Sequence, residues 1–201
     1  MGLLSLPQIY ESIWNTYKDD VIKYADSKSE ENVMKHIVNT AASFVDQRIK
    51  FQNFGHSNYK SREVSKAFNN LDAAKVIQVI YPCTNVEPPI LPDYKKSPRL
   101  QFLDTGILNF DLNIQADLLL MKDLSEAYKG AIIPHIINQE VLSLNTTDYK
   151  KTNFWVRDKT QSSAEVDLLL AQGKFLIPIE IKSGKTGSLK SLHQFVNQAP
   201  H

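Results

Sequence analysis

The sequence predicts an α/β protein in two parts: a helical first half closed by a short β-ribbon, and a mixed second half. Three observations predict it. Apolar residues recur at helical spacing as far as Leu71, strand-like runs crowd into the stretch after Asn153, and a proline-rich connection, Glu87–Pro92, interrupts the chain between two short strands. At 201 residues the chain has room for one medium domain or two small ones with a buried core.

In the first half, Ile9, Tyr10, Ile13, Trp14 and Tyr17 place one amphipathic helix over Leu6–Ala25. The polar stretch Asp26–Glu31 separates it from a second helix with Val33, His36, Ile37, Thr40 and Ala41 on one face. A third helix is expected to begin near Ser57 or Asn58, both good caps, and to bury Val64, Ala67, Phe68 and Leu71. Val76–Tyr81 reads as a strand ended by Pro82, and Arg99–Asp104 as a strand returning beside it. Three helices and a two-stranded ribbon suggest a winged-helix arrangement. The boundary then falls near Thr105-Gly106, giving parts 1–104 and 105–201. The second part reads as a helix over Ala131–Leu144, three strands (Asn153–Val156, Glu165–Leu170, Lys174–Lys182) and a helix over Ser188–Asn197, an α/β order.

Composition excludes several function classes. The apolar (42 %) and charged (22 %) fractions are those of a soluble globular protein, and the formal charge of +1 gives no overall basic field. Nucleic acid could be met only by a local patch. Cys83 is the one cysteine, which excludes an internal disulfide and a multi-cysteine zinc site. It is expected to be a small buried apolar residue. No apolar run reaches the roughly 20 residues of a membrane span, and the start lacks the pattern of a signal peptide. A cytoplasmic location without membrane contact is the expectation.

The chemistry concentrates in two strands. From Ile177 onward the sequence alternates, so Ile177, Ile179 and Ile181 face one way and Pro178, Glu180 and Lys182 the other. Glu165 and Asp167 share a face on the preceding strand. Antiparallel pairing would bring Asp167 near Glu180, setting two carboxylates and a lysine around one point. Hard oxygen ligands of this kind suit Mg²⁺ with retained waters, and a metal-bound water beside a lysine suits phosphodiester hydrolysis. An alternating strand with solvated charges on its outer face is the plainer reading of the same pattern.

The motifs Glu165-Val166-Asp167 and Ile179-Glu180-Ile181-Lys182-Ser183-Gly184 resemble the D…ExK signature of PD-(D/E)XK nucleases. With Ser57–Val64, Leu103–Gly106 and Phe154–Arg157 added, nearly the whole chain resembles the region C-terminal to the ATPase core in a bacterial and archaeal family of AAA-type ATPases. The resemblance implies a winged-helix-like segment followed by a PD-(D/E)XK (restriction-endonuclease-like) mixed-sheet domain of undefined role. It also implies a truncated piece of a longer protein, because no G-x-x-x-x-G-K-[ST] loop is present and the family continues past His201. Such a piece would not hydrolyse ATP by itself. The family pattern places a glutamate four residues after Gly130, where this chain has Pro134. Glu140 is the nearest acid, about 120° around the helix and about 9 Å along it from that position, and is a further candidate ligand.

A second cluster lies in residues 48–66, where Arg48, Lys50, Lys60, Arg62 and Lys66 face only Glu63, with Phe51, Phe54 and Tyr59 between them. On a recognition helix, Lys60, Arg62 and Lys66 could contact phosphates; on a solvated face they contact nothing in particular. The five histidines lack metal spacing, and His135 reads as structural. Ser183–Gly187 and Asp104–Gly106 read as turns.

Two hypotheses emerge. One is a metal-dependent nuclease in which Asp167 and Glu180, with Glu140 as a further ligand, hold Mg²⁺ and Lys182 positions water. The other is an inactive module of the same fold that binds DNA, an AAA-type ATPase or another protein.

Overall fold

The computed structural model describes residues 6–115, 132–144, 151–158, 164–182 and 188–199. Among them are six α-helices and two small sheets, a mixed α/β arrangement with no barrel. Contacts divide the chain into two units, Met1–Val79 with Leu100–Tyr128 and Ile80–Arg99 with Lys129–His201. The division is discontinuous: residues 80–99 count with the second unit and the helix after Asp104 with the first, unlike the single break expected at 104/105.

The first unit is built on α1 (Leu6–Ile22), α2 (Lys28–Thr40) and α3 (Ser61–Ala73). The polar stretch after α1 is the start of α2 rather than a spacer. Ser27, in an extended conformation, accepts a hydrogen bond from the Glu30 amide (3.2 Å), and Glu30 and Glu31 fall in the first turn, where the helix dipole favours acids. The buried face of α2 is Val33, Met34, Ile37 and Val38, rotated from the expected stripe. His36 is half-buried and reaches the Phe54 carbonyl through Nε2 (3.0 Å).

Helix α3 starts at Ser61, later than the Ser57 or Asn58 expected. Glu63 accepts the Lys60 amide (2.9 Å) and Gln52 Oε1 accepts the Ser61 amide (3.1 Å), so the first turn is satisfied without a serine cap. Ser57 instead accepts from the Tyr59 amide. Val64, Ala67, Phe68 and Leu71 are buried as the spacing predicts. Phe68 packs against Phe51 and, edge-on, against Phe54, with ring centroids 5.7 and 4.9 Å away.

Strands β1 (Ile77–Ile80) and β3 (Arg99–Phe102) form a two-stranded sheet. Leu100 also makes a parallel bridge to Val45. Asp104 is a helix cap, not part of a closing turn. Its Oδ1 accepts the Ile107 amide (3.0 Å), opening α4 (Thr105–Asp111). Helix α4 holds α1 through Trp14, whose indole N–H donates to Asp111 (2.8 Å).

The second unit carries a four-stranded sheet in the order β2-β4-β5-β6, formed by Pro82–Cys83, Asn153–Val156, Glu165–Gln172 and Phe175–Ile179. Pro82 therefore begins a strand rather than only ending one. It has no N–H to give, and an edge strand does not require one. β2 runs parallel to β4, and the two remaining pairings are antiparallel. The unit also includes α5 (Ile132–Ser143) and α6 (Lys190–Val196). Cys83, Trp155, Val166, Leu169, Leu176 and Phe195 form its core, with Phe195 edge-on to Trp155. Burial pushes the Cys83 thiol up to about 12, so it stays a neutral packing residue. No helix among the described residues is long and apolar enough to cross a membrane.

Phe68 is fully buried in an aromatic cluster, so Phe68→Ala should lower stability by about 3–5 kcal/mol. Denaturant midpoints measure this. A loss below about 1 kcal/mol would mean that the cluster is not close-packed.

Candidate functional site: acids and bases beside a bulge

A β-bulge sets the site. Between the pairs Asn153↔Leu169 and Trp155↔Val166, β4 advances by two residues and β5 by three, so β5 carries one extra residue around Asp167 and Leu168. Bulges bend a strand and re-aim its side chains. Val166 and Leu169 consequently both enter the core, while Asp167 stays partly exposed.

The neighbouring strand β6 ends at Ile179, before the predicted Lys182. Its last pair is Leu168↔Ile179, so Glu180, Ile181 and Lys182 continue beside the bulge. The Ile181 amide donates to Asp167 Oδ2 (2.9 Å), fastening that continuation to the acid. Lys182 Nζ lies 2.5 Å from Glu180 Oε1. The structure thus brings Asp167, Glu180 and Lys182 to one end of the sheet.

The acids do not lie on a fully solvated outer face, although Lys182 is exposed. The Glu180 side chain is only 9 % exposed, whereas Ile177, on the face expected to be apolar, is 38 % exposed. Leu176 is the residue of β6 that joins the core.

Sequence reasoning missed Arg99. Its side chain is 8 % exposed, and its guanidinium lies over the Phe154 ring, 4.5 Å from the centroid. Nε donates to Glu165 Oε1 (2.9 Å), and a second guanidinium nitrogen makes a close contact to the same oxygen. The group also donates to the Asp167 carbonyl and to Asp167 Oδ1, both at 3.2 Å. Among the described residues three carboxylates (Glu165, Asp167, Glu180) therefore meet two cations (Arg99, Lys182).

These residues offer a divalent cation a partial fit. Both oxygens of Asp167 and Oε1 of Glu180 already accept hydrogen bonds. Glu180 Oε2 is buried and has no hydrogen-bond partner among the described residues, which marks it as an oxygen available to a metal. Glu140 is exposed on α5. Among the described residues no group of three or more His, Cys, Asp or Glu side chains is arranged around one ion. Pro134 sits in the first turn of α5, where a missing N–H is harmless. Gly130 and Ser183–Gly187 lie outside the described residues.

In the first unit the basic cluster divides. Lys66 bridges Asp26 Oδ2 (2.6 Å) and Glu30 Oε2 (2.8 Å), and Asn70 donates to Glu30 Oε1. The bond to Asp26, then that to Glu30, raises the Lys66 pKa. Lys66 thus ties α3 to the start of α2. Lys60 and Arg62 are exposed at the start of α3.

Two family models match the sequence. A domain of unknown function (DUF4143) matches residues 129–200, and another (DUF8612) matches residues 5–118. No curated protein and no solved structure matches.

His135 is fully buried on α5, and neither ring nitrogen has a hydrogen-bond partner among the described residues. Burial pushes it down to about 4 from its ordinary 6.5. The unfolded chain therefore binds a proton near 6.5 that the folded chain refuses until near 4. Stability should be full above the higher value and fall as the pH drops through this window, by about 3 kcal/mol in all. Urea midpoints near about pH 7.5 and about pH 5 measure the slope, and His135→Leu should flatten it. An unchanged slope in that variant would assign the acid sensitivity to another group.

Proposed function

The chain belongs to the DUF8612 family, and on that premise we propose that it joins a winged-helix-like first unit to a PD-(D/E)XK-like nuclease module acting on DNA beside an AAA-type ATPase. The DUF4143 match agrees with the last element, since that domain is often associated with such ATPases. The observation that carries the reading is the buried, unpartnered Glu180 Oε2 beside Lys182, with Asp167 fastened alongside through the Ile181 amide.

Each residue then has a role. Glu180 and Asp167 would hold Mg²⁺, which when bound supplies a water of lowered pKa and neutralises phosphate charge. Lys182, the more exposed of the two cations (37 % against 8 %), offers its ammonium to a phosphate oxygen or to the attacking water. Lys60 and Arg62, exposed at the start of α3, supply phosphate contacts that position the strand without reading its sequence.

A second reading is an inactive module of the same fold that binds nucleic acid or a protein. Two features favour it: the Arg99 contact to Asp167, and Pro134 where the family pattern has an acid.

Incubating the chain with DNA and with RNA, in Mg²⁺ or Mn²⁺, separates the readings. Cleavage should fall by at least about 100-fold in Asp167→Ala and in Lys182→Ala. Cleavage that survives Asp167→Ala removes the assignment of the site. Absence of cleavage with retained DNA binding selects the inactive module. Reversing the charges of Lys60 and Arg62 should weaken DNA binding equally for unrelated sequences and reduce its salt dependence. Wild-type affinity in that variant would end the proposed role of α3.

A further inference from the structure

We infer that Arg99 is a built-in counter-ion that competes with a divalent metal for Asp167, so that the acid cluster of the second unit is held in a metal-poor state. The inference rests on the metal-site reading above but assigns the limiting role to a residue outside the D…ExK motif.

Four observations support it. The guanidinium is fixed rather than mobile, because it is buried, lies over Phe154 and makes two contacts to Glu165. From that anchorage it donates to both the carbonyl and Oδ1 of Asp167. Asp167 Oδ2 is separately taken by the Ile181 amide, so Oδ1 is the oxygen that a metal would need. Finally, the unpartnered Glu180 Oε2 shows that the cluster retains one unmet demand for a cation.

Glu165 acquires a role from this arrangement. It is the anchor of Arg99 and hence a positioning residue rather than a metal ligand. A dication approaching Asp167 meets a fixed positive charge close to Oδ1 and must either displace that hydrogen bond or bind through Glu180 alone. Either route weakens affinity, since a like charge at this separation opposes the ion in a partly buried site. Lys182 adds to the opposition from the Glu180 side, but it is more exposed and is held by one contact in the described residues. Arg99 is therefore the stronger control.

The test is calorimetric titration of Mn²⁺ into the full chain, comparing wild type, Arg99→Gln and the double variant Arg99→Gln/Asp167→Asn. Glutamine keeps a hydrogen-bond donor near Glu165 while removing the charge. Arg99→Gln should bind Mn²⁺ at least tenfold more tightly than wild type, and the double variant should lose the gain. A folded Arg99→Gln that binds no more tightly overturns the inference. Should that variant fail to fold, the wild-type chain provides a second measurement. Titration with Mg²⁺ should shift the Nε–H resonance of Arg99, and a resonance that stays fixed while Mg²⁺ saturates the site overturns it equally. Tighter Mn²⁺ binding by Arg99→Gln without cleavage would leave the inference standing and end the nuclease reading. Metal-dependent cleavage by wild type with a static Arg99 signal would do the reverse.

Discussion

The second unit depends on the pairing of one buried guanidinium with two partly buried carboxylates. Glu165 and Asp167 stand two residues apart on one strand, with side chains 24 % and 20 % exposed. Two acids so placed would repel each other and lose solvation, and Arg99 offsets both costs. Its planar fork reaches Glu165 and the Asp167 main chain together, a geometry that a lysine cannot reproduce. The Phe154 ring beneath it and the bulge at Asp167 then become parts of one arrangement. Breaking such a pair from one side leaves an uncompensated charge, which is why its geometry constrains the strands around it.

In the first unit the corresponding device is more exposed. Glu30 is buried at the start of α2 and receives Lys66 and Asn70 from α3, while Ser27 caps the same turn. A residue that looks like a phosphate contact in the sequence thus joins two helices. Lys60 and Arg62 remain exposed because they precede the point at which α3 packs.

How much of this was legible in the sequence follows from the range of each interaction. The apolar stripe of α3 and the proximity of Asp167 to Glu180 were readable because helical and strand periods are local. The start of α3 was misplaced because its cap comes from Gln52 and Glu63 rather than from a serine. Pro82 read as a stop because its partner strand, β4, pairs in parallel from far along the chain. The face of β6 was inverted because alternation gives two faces without saying which one is covered. Arg99 was invisible for both reasons. It is one basic residue before an apolar run, and its partner Glu165 lies 66 positions later.

That separation shapes how the protein must be made. Synthesis proceeds from the N-terminus at roughly 5–20 residues per second, so Arg99 is added to the chain about 3–13 seconds before Glu165. For most of that interval the Pro82–Cys83 segment also lacks its partner strand β4. A fragment cut after Asp104 would leave behind both the strand that pairs with β4 and the cation that meets Glu165 and Asp167.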